Sequence, residues 1–309
     1  MKTEGQAGTA RLPFLFFWEI LELMNAAHLS IVLMLALASA TPAFAQADER
    51  VMYASVLDKN GAPVLNLTER DFIVREDGQG REILRVTPDH DPLQIALLVD
   101  NSAAMSNSVA ELRRAVRAFI DNTREGVQIA LITLGERPTP AVGYTSDHAV
   151  LNQAAGRLFA LPDAGNYLLD GIAESSQGLA KRTMWRSVIA VITTPADLSY
   201  RQRDETLRFF REGGAALHVL TLGTTVGSAD REMVVAKGTD ETGGRNELVL
   251  SAMGLESKAQ QLAAELSNQY RVTYARPQRL IPPKDVEVSA RRSDLRARGM
   301  LLKTEKERQ

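Results

Sequence analysis

Asp100, Asn101 and Ser102 are the residues of this chain whose types and position best suggest chemistry. They directly follow the apolar run 95–99, and a short apolar run bounded by polar residues is typical of a buried strand. Ligands bind to open parallel α/β sheets just beyond the carboxyl ends of the strands. A carboxylate and a hydroxyl at that place could bind a hard cation or, with a base in reach, could supply a nucleophile.

The histidines are badly placed for a serine hydrolase, which needs a base within reach of its nucleophile. After residue 45 they are His90, His148 and His218, which the sequence places in a linker, at a helix start and inside a strand. The sequence also contains no Gly-x-Ser-x-Gly elbow. A hydrolase with Ser102 as its nucleophile is therefore a distant alternative, and we expect a protein that is not an enzyme.

The composition is that of a soluble globular protein and excludes further classes of site. Of the 309 residues 45% are hydrophobic and 24% are charged, with a net charge of −2. Because the chain has no cysteine, disulfides, thiol nucleophiles and thiolate metal sites are excluded. The turn after residue 99 has no glycine, which excludes a dinucleotide-binding loop there, and no P-loop is present.

The C-terminal stretch 271–309 is basic, with 11 Lys and Arg against 5 Asp and Glu. Such a stretch could form a patch for an acidic partner or for lipid headgroups. It could equally be a solvated strand face whose charges oppose edge-to-edge pairing. We favour the second interpretation and expect no nucleic-acid partner, because aromatic residues that could stack on bases do not interleave with the charges.

From residue 93 onward, apolar runs alternate with segments of helical periodicity. We predict strands at 94–99, 127–134, 187–193, 216–222 and 247–250. We predict helices from 108, and at 149–159, 167–180, 204–212, 233–237 and 255–268. Ser108 followed by Glu111 predicts a capping box at the start of the first helix. The alternation predicts a doubly wound, mainly parallel, Rossmann-like α/β sheet with helices on both faces.

Short strands flank this α/β segment on both sides. We predict strands at 51–57, 62–67, 71–75 and 82–86 before it, and at 271–275 and 285–290 after it. Each flank is too short to be stable alone. We therefore expect segments 46–91 and 270–302 to pack together as a small β domain beside an α/β domain at 92–269, followed by a tail at 303–309.

The N-terminal region has the features of a signal peptide. An apolar core at 29–40 precedes Ala43 and Ala45, small residues at the two positions that a signal peptidase reads. We predict a signal peptide at 1–45, with 1–23 as an extension if Met24 is the true start. The alternative is an uncleaved N-terminal anchor. Either version places the remainder outside the cytoplasm, periplasmic or secreted, and cleavage would leave no membrane span.

Several segments resemble the von Willebrand factor type A family, specifically the secreted bacterial group labelled VWFA-related and common in Acidobacteria. The similar segments are LDKNGAPV at 57–64 with the following DF and EDG, DNS at 100–102, LLDGI at 168–172, TGGR at 242–245 and QY at 269–270. Together they cover nearly the whole chain after residue 45. The resemblance implies a type A fold and an adhesion-type function in protein–protein interaction.

In that family an Asp-x-Ser-x-Ser turn, a threonine and a second aspartate supply oxygen ligands to a divalent metal ion. Asp100 and Ser102 match the first two positions. Ala104 stands at the second serine, Asn166 at the threonine and Thr194 at the second aspartate. Because Mg²⁺ needs charge and octahedral geometry to bind, we expect this degenerate site to hold no metal and the protein to need no cofactor.

The resemblance implies that a partner binds at the carboxyl end of the sheet. We call the loops 101–107, 164–167 and 194–198 the top face. The candidate binding residues on it are Asp100, Asn101, Ser102, Asn166, Tyr167, Thr194 and Asp197. The expected function is metal-independent binding of a protein that the sequence does not identify. The alternative is Mg²⁺-dependent adhesion through Asp100, Ser102 and Asn166.

Overall fold

The computed structural model describes residues 47–182, 185–278, 281 and 283–301. The predicted signal peptide at 1–45 and the predicted tail at 303–309 lie outside the described residues. Within the described residues, no helix has both the length and the apolar character needed to cross a membrane.

Thirteen strands and six α-helices form within the described part of the chain. The strands are β1 (Ala47–Leu57), β2 (Phe72–Glu76), β3 (Gln79–Arg81), β4 (Ile83–Pro88), β5 (Leu93–Val99), β6 (Gln128–Thr133), β7 (Thr139–Thr145), β8 (Arg186–Thr193), β9 (Ala216–Leu222), β10 (Asn246–Val249), β11 (Tyr270–Pro277), β12 (Val286–Ala290) and β13 (Arg296–Leu301). The helices are α1 (Val109–Asp121), α2 (His148–Gly156), α3 (Leu168–Ala180), α4 (Arg203–Gly213), α5 (Ala229–Thr242) and α6 (Leu255–Ser267).

The central sheet has six strands in the order β10-β9-β8-β5-β6-β7. All neighbours run parallel except β7, which is antiparallel to β6. Apolar residues of α1, α2 and α6 pack on one face of the sheet and those of α3, α4 and α5 on the other. The predicted doubly wound, mainly parallel α/β fold is confirmed.

Strand β5 lies between β8 and β6 at the centre of the sheet, and all seven of its residues are buried. A strand covered by helices on both faces needs apolar side chains on both sides, which explains its unbroken apolar sequence. Because β5 is central, the turn at Asp100 emerges between the ends of two neighbouring strands. Asp100, Asn101 and Ser102 are thereby placed at the carboxyl edge of the sheet.

The two flanking segments are joined by backbone hydrogen bonds in two antiparallel sheets. Strand β1 lies between β13 and β11 in a four-stranded sheet, and β2 lies between β12 and β3 in a three-stranded sheet. A buried polar network connects them to the α/β core. In it Arg186 Nη2 lies 2.9 Å from Asp89 Oδ2, Arg186 Nη1 donates to Gln269, and Gln269 Nε2 donates to Ser55 Oγ at 2.8 Å.

Some local predictions are wrong. Segment 62–67 forms no strand and makes only a single bridge between Pro63 and Leu57, since Asn66 adopts a positive φ of 61°. Helix α5 has 14 residues where 233–237 was predicted, because only a narrow stripe of it is apolar. Strands β3, β7 and β13 were not predicted, and β7 lacks a clear pattern because it contains Pro140 and Gly143.

The predicted capping box at Ser108 is also wrong. Its side chain makes no cap hydrogen bond, and its backbone has φ −129° and ψ 14°. The 3₁₀ helix Ala103–Ser108 runs directly into α1, so the backbone lacks the extended conformation that a capping side chain needs. Glu111 instead bonds to Arg114 at 2.9 Å.

Candidate functional site

The Asp100 carboxylate is fully buried and accepts three hydrogen bonds from within the protein. Its Oδ1 accepts the Ser102 N–H at 2.8 Å. Its Oδ2 accepts the Thr194 N–H at 2.9 Å and the Thr194 hydroxyl at 2.5 Å. Hydrogen bonds to a charged acceptor are stronger than neutral ones, so these donors stabilise the buried charge and hold the β5 turn against the β8 turn.

Ser102 and Asn166 each leave one oxygen without a partner. Both side chains are buried, and Ser102 Oγ and Asn166 Oδ1 have no hydrogen-bond partner among the described residues. The Asn166 amide is held in place by its Nδ2, which donates at 2.8 Å both to Thr193 Oγ1 and to Ala196 O. These two oxygens are therefore the unused polar atoms of the candidate site.

A buried arginine that sequence reasoning missed lies behind Thr194. Arg231, on the first turn of α5, is only 2% exposed. Its Nη2 donates to Thr221 Oγ1 at 2.8 Å and to Thr194 O at 3.4 Å, and its Nη1 pairs with Glu232 at 2.5 Å. In the sequence Arg231 resembles an ordinary polar residue at the start of a helix, and nothing in the residues next to it indicates that it is buried.

Asp197 acts as a cap supplied from another loop. Its Oδ1 accepts the Leu168 N–H at 2.9 Å and the Ser199 hydroxyl at 2.7 Å. An acid at a helix N-terminus satisfies donors that the helix cannot. Burial raises the pKa of the Asp197 carboxyl, opposed by these hydrogen bonds. The loop 194–198 is thereby attached to the start of α3.

Tyr167 and Tyr200 form the aromatic part of this region. Their ring centroids lie 5.5 Å apart. A hydrogen bond to Tyr200 is the largest cause that raises the pKa of the Tyr167 hydroxyl, and burial is the second largest. Tyr200 is 84% exposed, so this pair presents aromatic surface to solvent beside the buried polar turns.

Asn101 connects the β5 turn to the hairpin between β6 and β7. Its Oδ1 accepts the Gly135 N–H at 2.7 Å, and its backbone carbonyl accepts the Leu161 N–H at 2.8 Å. A Cβ atom at Gly135 would lie 2.8 Å from Asn101 Oδ1. Position 135 therefore needs glycine for the backbone to approach this close.

The residues present do not fit the divalent ion that the family resemblance implies. Asp100 already accepts three hydrogen bonds, Thr194 is a donor to it, and Ala104 has no side-chain oxygen. The remaining oxygens, on Ser102 and Asn166, are neutral. Mg²⁺ dehydrates reluctantly and binds through carboxylates. Among the described residues, no group of three or more His, Cys, Asp or Glu is placed to hold a metal ion.

The geometry also offers Ser102 no base. Its Oγ has no hydrogen-bond partner within the described ranges. His218 is fully buried in β9, where its Nδ1 accepts the Arg245 N–H at 3.2 Å. Burial, with a contribution from nearby Arg245, lowers the pKa of His218 to about 3. A serine nucleophile needs a base at hydrogen-bond distance, and this arrangement supplies none.

Comparison with known proteins agrees with the architecture. Residues 95–196 match the family model of the von Willebrand factor type A domain. No curated protein matches the chain. Among solved structures, the chain is similar to a von Willebrand factor type A protein from Catenulispora acidiphila, with 11% identity and a TM-score of 0.51 over 84% of this chain and 73% of that one.

The chain is also similar to proximal thread matrix protein 1 from the mussel byssus, with 15% identity and a TM-score of 0.52 over 62% of this chain. The match spans 50% of the mussel protein's chain. A second structure of that protein, with zinc in its metal-ion-dependent adhesion motif, matches with 14% identity and a TM-score of 0.50. At these identities the likeness shows the fold. Residues 95–196 thus match the von Willebrand factor type A family, whose members typically mediate protein–protein interaction, and the chain shares the fold of such proteins.

Proposed function

We propose that this chain is a non-enzymatic module outside the cytoplasm that binds a protein partner through its top face without a metal ion. The proposal rests on the way in which the charge of the Asp100 carboxylate is compensated. In a metal-dependent site this carboxylate would face a cation, whereas here three internal donors compensate its charge. The location outside the cytoplasm rests on the signal-peptide pattern at 29–45.

The buried guanidinium of Arg231 supports the same proposal. It bonds to the Thr194 carbonyl, while the Thr194 hydroxyl and N–H bond to Asp100. The Arg231 guanidinium, which also pairs with Glu232, is thus linked to the Asp100 carboxylate through Thr194. We expect this link to hold the loop 194–198 in place without a metal ion.

Contact with the partner would come from the exposed residues of this region. Asp100, Ser102 and Asn166 are each at most 1% exposed, so their part is to position the loops. Leu198 is 61% exposed and Tyr200 is 84% exposed. Tyrosine is enriched among the residues that dominate binding energy in protein interfaces, so Tyr200 is the main candidate to do so here. Leu198 would add buried apolar area.

Metal dependence is tested by thermal unfolding of the full chain with excess Mg²⁺ or Mn²⁺ and then with chelator. A ligand at about 100 times its Kd adds about 2.7 kcal/mol to the stability of the native state. We expect no change in the midpoint. The matched control is the double variant Ala104→Ser with Thr194→Asp, which restores an oxygen and a carboxylate and should gain a metal-dependent shift.

Mg²⁺-dependent adhesion is the second candidate, and one observation favours it. Ser102 Oγ and Asn166 Oδ1 are buried without partners beside Asp100, and oxygen atoms of this kind can serve as metal ligands. A clear upward shift of the unchanged protein with Mg²⁺, reversed by chelator, would make this second candidate the better account.

Partner binding is tested by photo-crosslinking in the full chain from position 200, whose ring packs against Tyr167 of the top face, with position 85 on the flanking sheet as control. We expect a protein crosslink from the first position that is lost with Leu198→Ser and kept with Arg85→Ser. Equal protein crosslinking from positions 200 and 85 would contradict binding at the top face.

A further inference from the structure

A cleft of about 660 Å³ lies beside the top face, between α2 and the β6–β7 hairpin. We call it the side cleft. Its apolar lining includes Val142, Val150, Ala154, Leu158, Phe159 and Leu161. This volume and this mainly apolar lining are typical of sites that bind small ligands or single side chains.

The apolar lining is partly open to solvent. Phe159 is 58% exposed and Val150 is 43% exposed, whereas Val142 and Ala154 pack against the main core of the α/β domain. The cleft therefore has a floor made by the core and a wall of large apolar side chains in contact with water. Exposed apolar surface of this kind, when contiguous, marks binding sites.

Two arginines line the same cleft without a partner. Arg137 and Arg157 are exposed, and neither guanidinium has an ion pair or hydrogen bond to another residue in the part of the chain that the structure describes. Glu136 is the acidic residue in the lining, and its φ of 63° is costly for a residue other than glycine. The cleft thus combines an apolar floor with a net positive rim.

We propose that the side cleft binds an extended peptide segment of the partner, in which an acidic residue lies next to a large apolar one. The apolar side chain would occupy the floor, and the carboxylate would pair with Arg137 and Arg157. Arginine suits this role because its planar guanidinium binds carboxylates through two parallel hydrogen bonds. This inference rests on the proposed function, since it assigns the class of partner that the top face would bind.

Asn101 makes the side cleft continuous with the top face. Its side chain lines the cleft, and its Nδ2 donates to the Phe159 carbonyl at 3.4 Å while its Oδ1 accepts the Gly135 N–H at 2.7 Å. The neighbouring Asp100 belongs to the buried polar turn. Asn101 therefore belongs both to the top face and to the lining of the side cleft, so a peptide bound at the top face would lie next to the cleft.

The test uses the full chain and fluorescently labelled peptides of known sequence. The first probe is acetyl-Gly-Ser-Glu-Leu-Glu-Leu-Ser-Gly-amide. One comparison peptide has Lys in place of both Glu, and another has Ser in place of both Leu. We expect the first peptide to bind, with Kd measured by fluorescence polarisation, and each comparison peptide to bind at least about tenfold more weakly, a difference of about 1.4 kcal/mol.

Two protein variants locate the binding. Ala154→Trp fills the floor of the cleft, and the pair Arg137→Glu with Arg157→Glu reverses the charge of the rim. Each should weaken the first peptide at least about tenfold, while Arg85→Glu, an exposed arginine on the flanking sheet, should leave Kd unchanged. Thermal unfolding of each variant confirms that it is folded. The double variant of Arg137 and Arg157 changes no residue of the core.

Three results would overturn the inference. The first peptide could fail to bind, it could bind equally to the charge-reversed variant, or the cleft could bind dodecanoate in a way that these variants abolish while no peptide binds. The last would identify a free amphipathic acid as the occupant. Failure here is distinguishable from failure of the proposed function, because partner crosslinking from position 200 that survives in Ala154→Trp would keep the top face and reject the cleft.

Discussion

The hydroxyl of Thr194 donates a hydrogen bond of 2.5 Å to the buried carboxylate of Asp100. By its resemblance to metal-binding type A domains, this chain has a threonine where a second aspartate is expected. The exchange replaces a like charge beside Asp100 with a donor. Hydrogen bonds from Thr194 to Asp100 thereby join the β8 turn to the β5 turn.

We predict that Thr194→Val destabilises the protein by about 1–3 kcal/mol, because the variant keeps the shape of the side chain but removes a donor from a buried charge. Thr194→Ser restores the hydroxyl and should recover most of the loss. Urea unfolding followed by circular dichroism measures the difference. Equal stability of the Val variant and the parent would show that Asp100 does not depend on this bond.

Arg231→Met should destabilise the protein by about 2–3 kcal/mol, because charge-assisted hydrogen bonds to Thr221 and Thr194 are lost in a buried site. The matched control is Arg208→Met, since Arg208 is 58% exposed and its pair with Glu212 lies on the surface. Chemical unfolding of both variants tests this, and a similar small loss in both would argue against a special role for the buried arginine.

His218 should make the protein less stable in acid. Burial lowers the pKa of His218 to about 3, whereas in the unfolded chain the imidazole takes a proton near pH 6.5. Between these values the unfolded state binds more protons, so the free energy of unfolding falls as the pH falls from about 6.5 towards 3, by at most about 1.4 kcal/mol per pH unit.

The variant His218→Asn isolates this effect, because an Asn carbonyl can accept the Arg245 N–H and does not titrate. Unfolding midpoints at pH 7, 5.5 and 4.5 should drop less steeply in the variant than in the parent. Parallel pH profiles would mean that His218 takes no part in acid sensitivity.

Deletion of residues 271–309 should unfold the N-terminal flank. Strand β1 would lose β13 and nearly all of β11, its two neighbours in the four-stranded sheet. Limited proteolysis with mass spectrometry should then find new cuts between residues 47 and 88, while the α/β segment stays more resistant. Full protection of the flank in the truncated chain would contradict the proposal that the two flanks form one domain.

Apolar runs and helical periodicity were sufficient to predict most of the central fold. Strand β9 was predicted with its observed bounds, and the helix before it, α4, ends at Gly213 and is capped by Gly214, which has a φ of 65°. These features depend on interactions within a few residues. The elements that were not predicted depend instead on contacts with other elements. Strand β7 forms because it pairs with β6, although its own sequence contains residues that usually interrupt a strand.

The sequence by itself determined the α/β fold class and the position of Asp100 at the end of a buried strand, and its resemblance to type A domains implied changed metal ligands at positions 104, 166 and 194. The tertiary structure decided what those residues do. The partners of Asp100 include Thr194, 94 positions away, and the burial of Arg231 and the lining of the side cleft likewise depend on separate segments meeting. The physical reason is that periodicity reports which residues leave water, whereas hydrogen-bond partners and cavities are set by how the buried elements pack against one another.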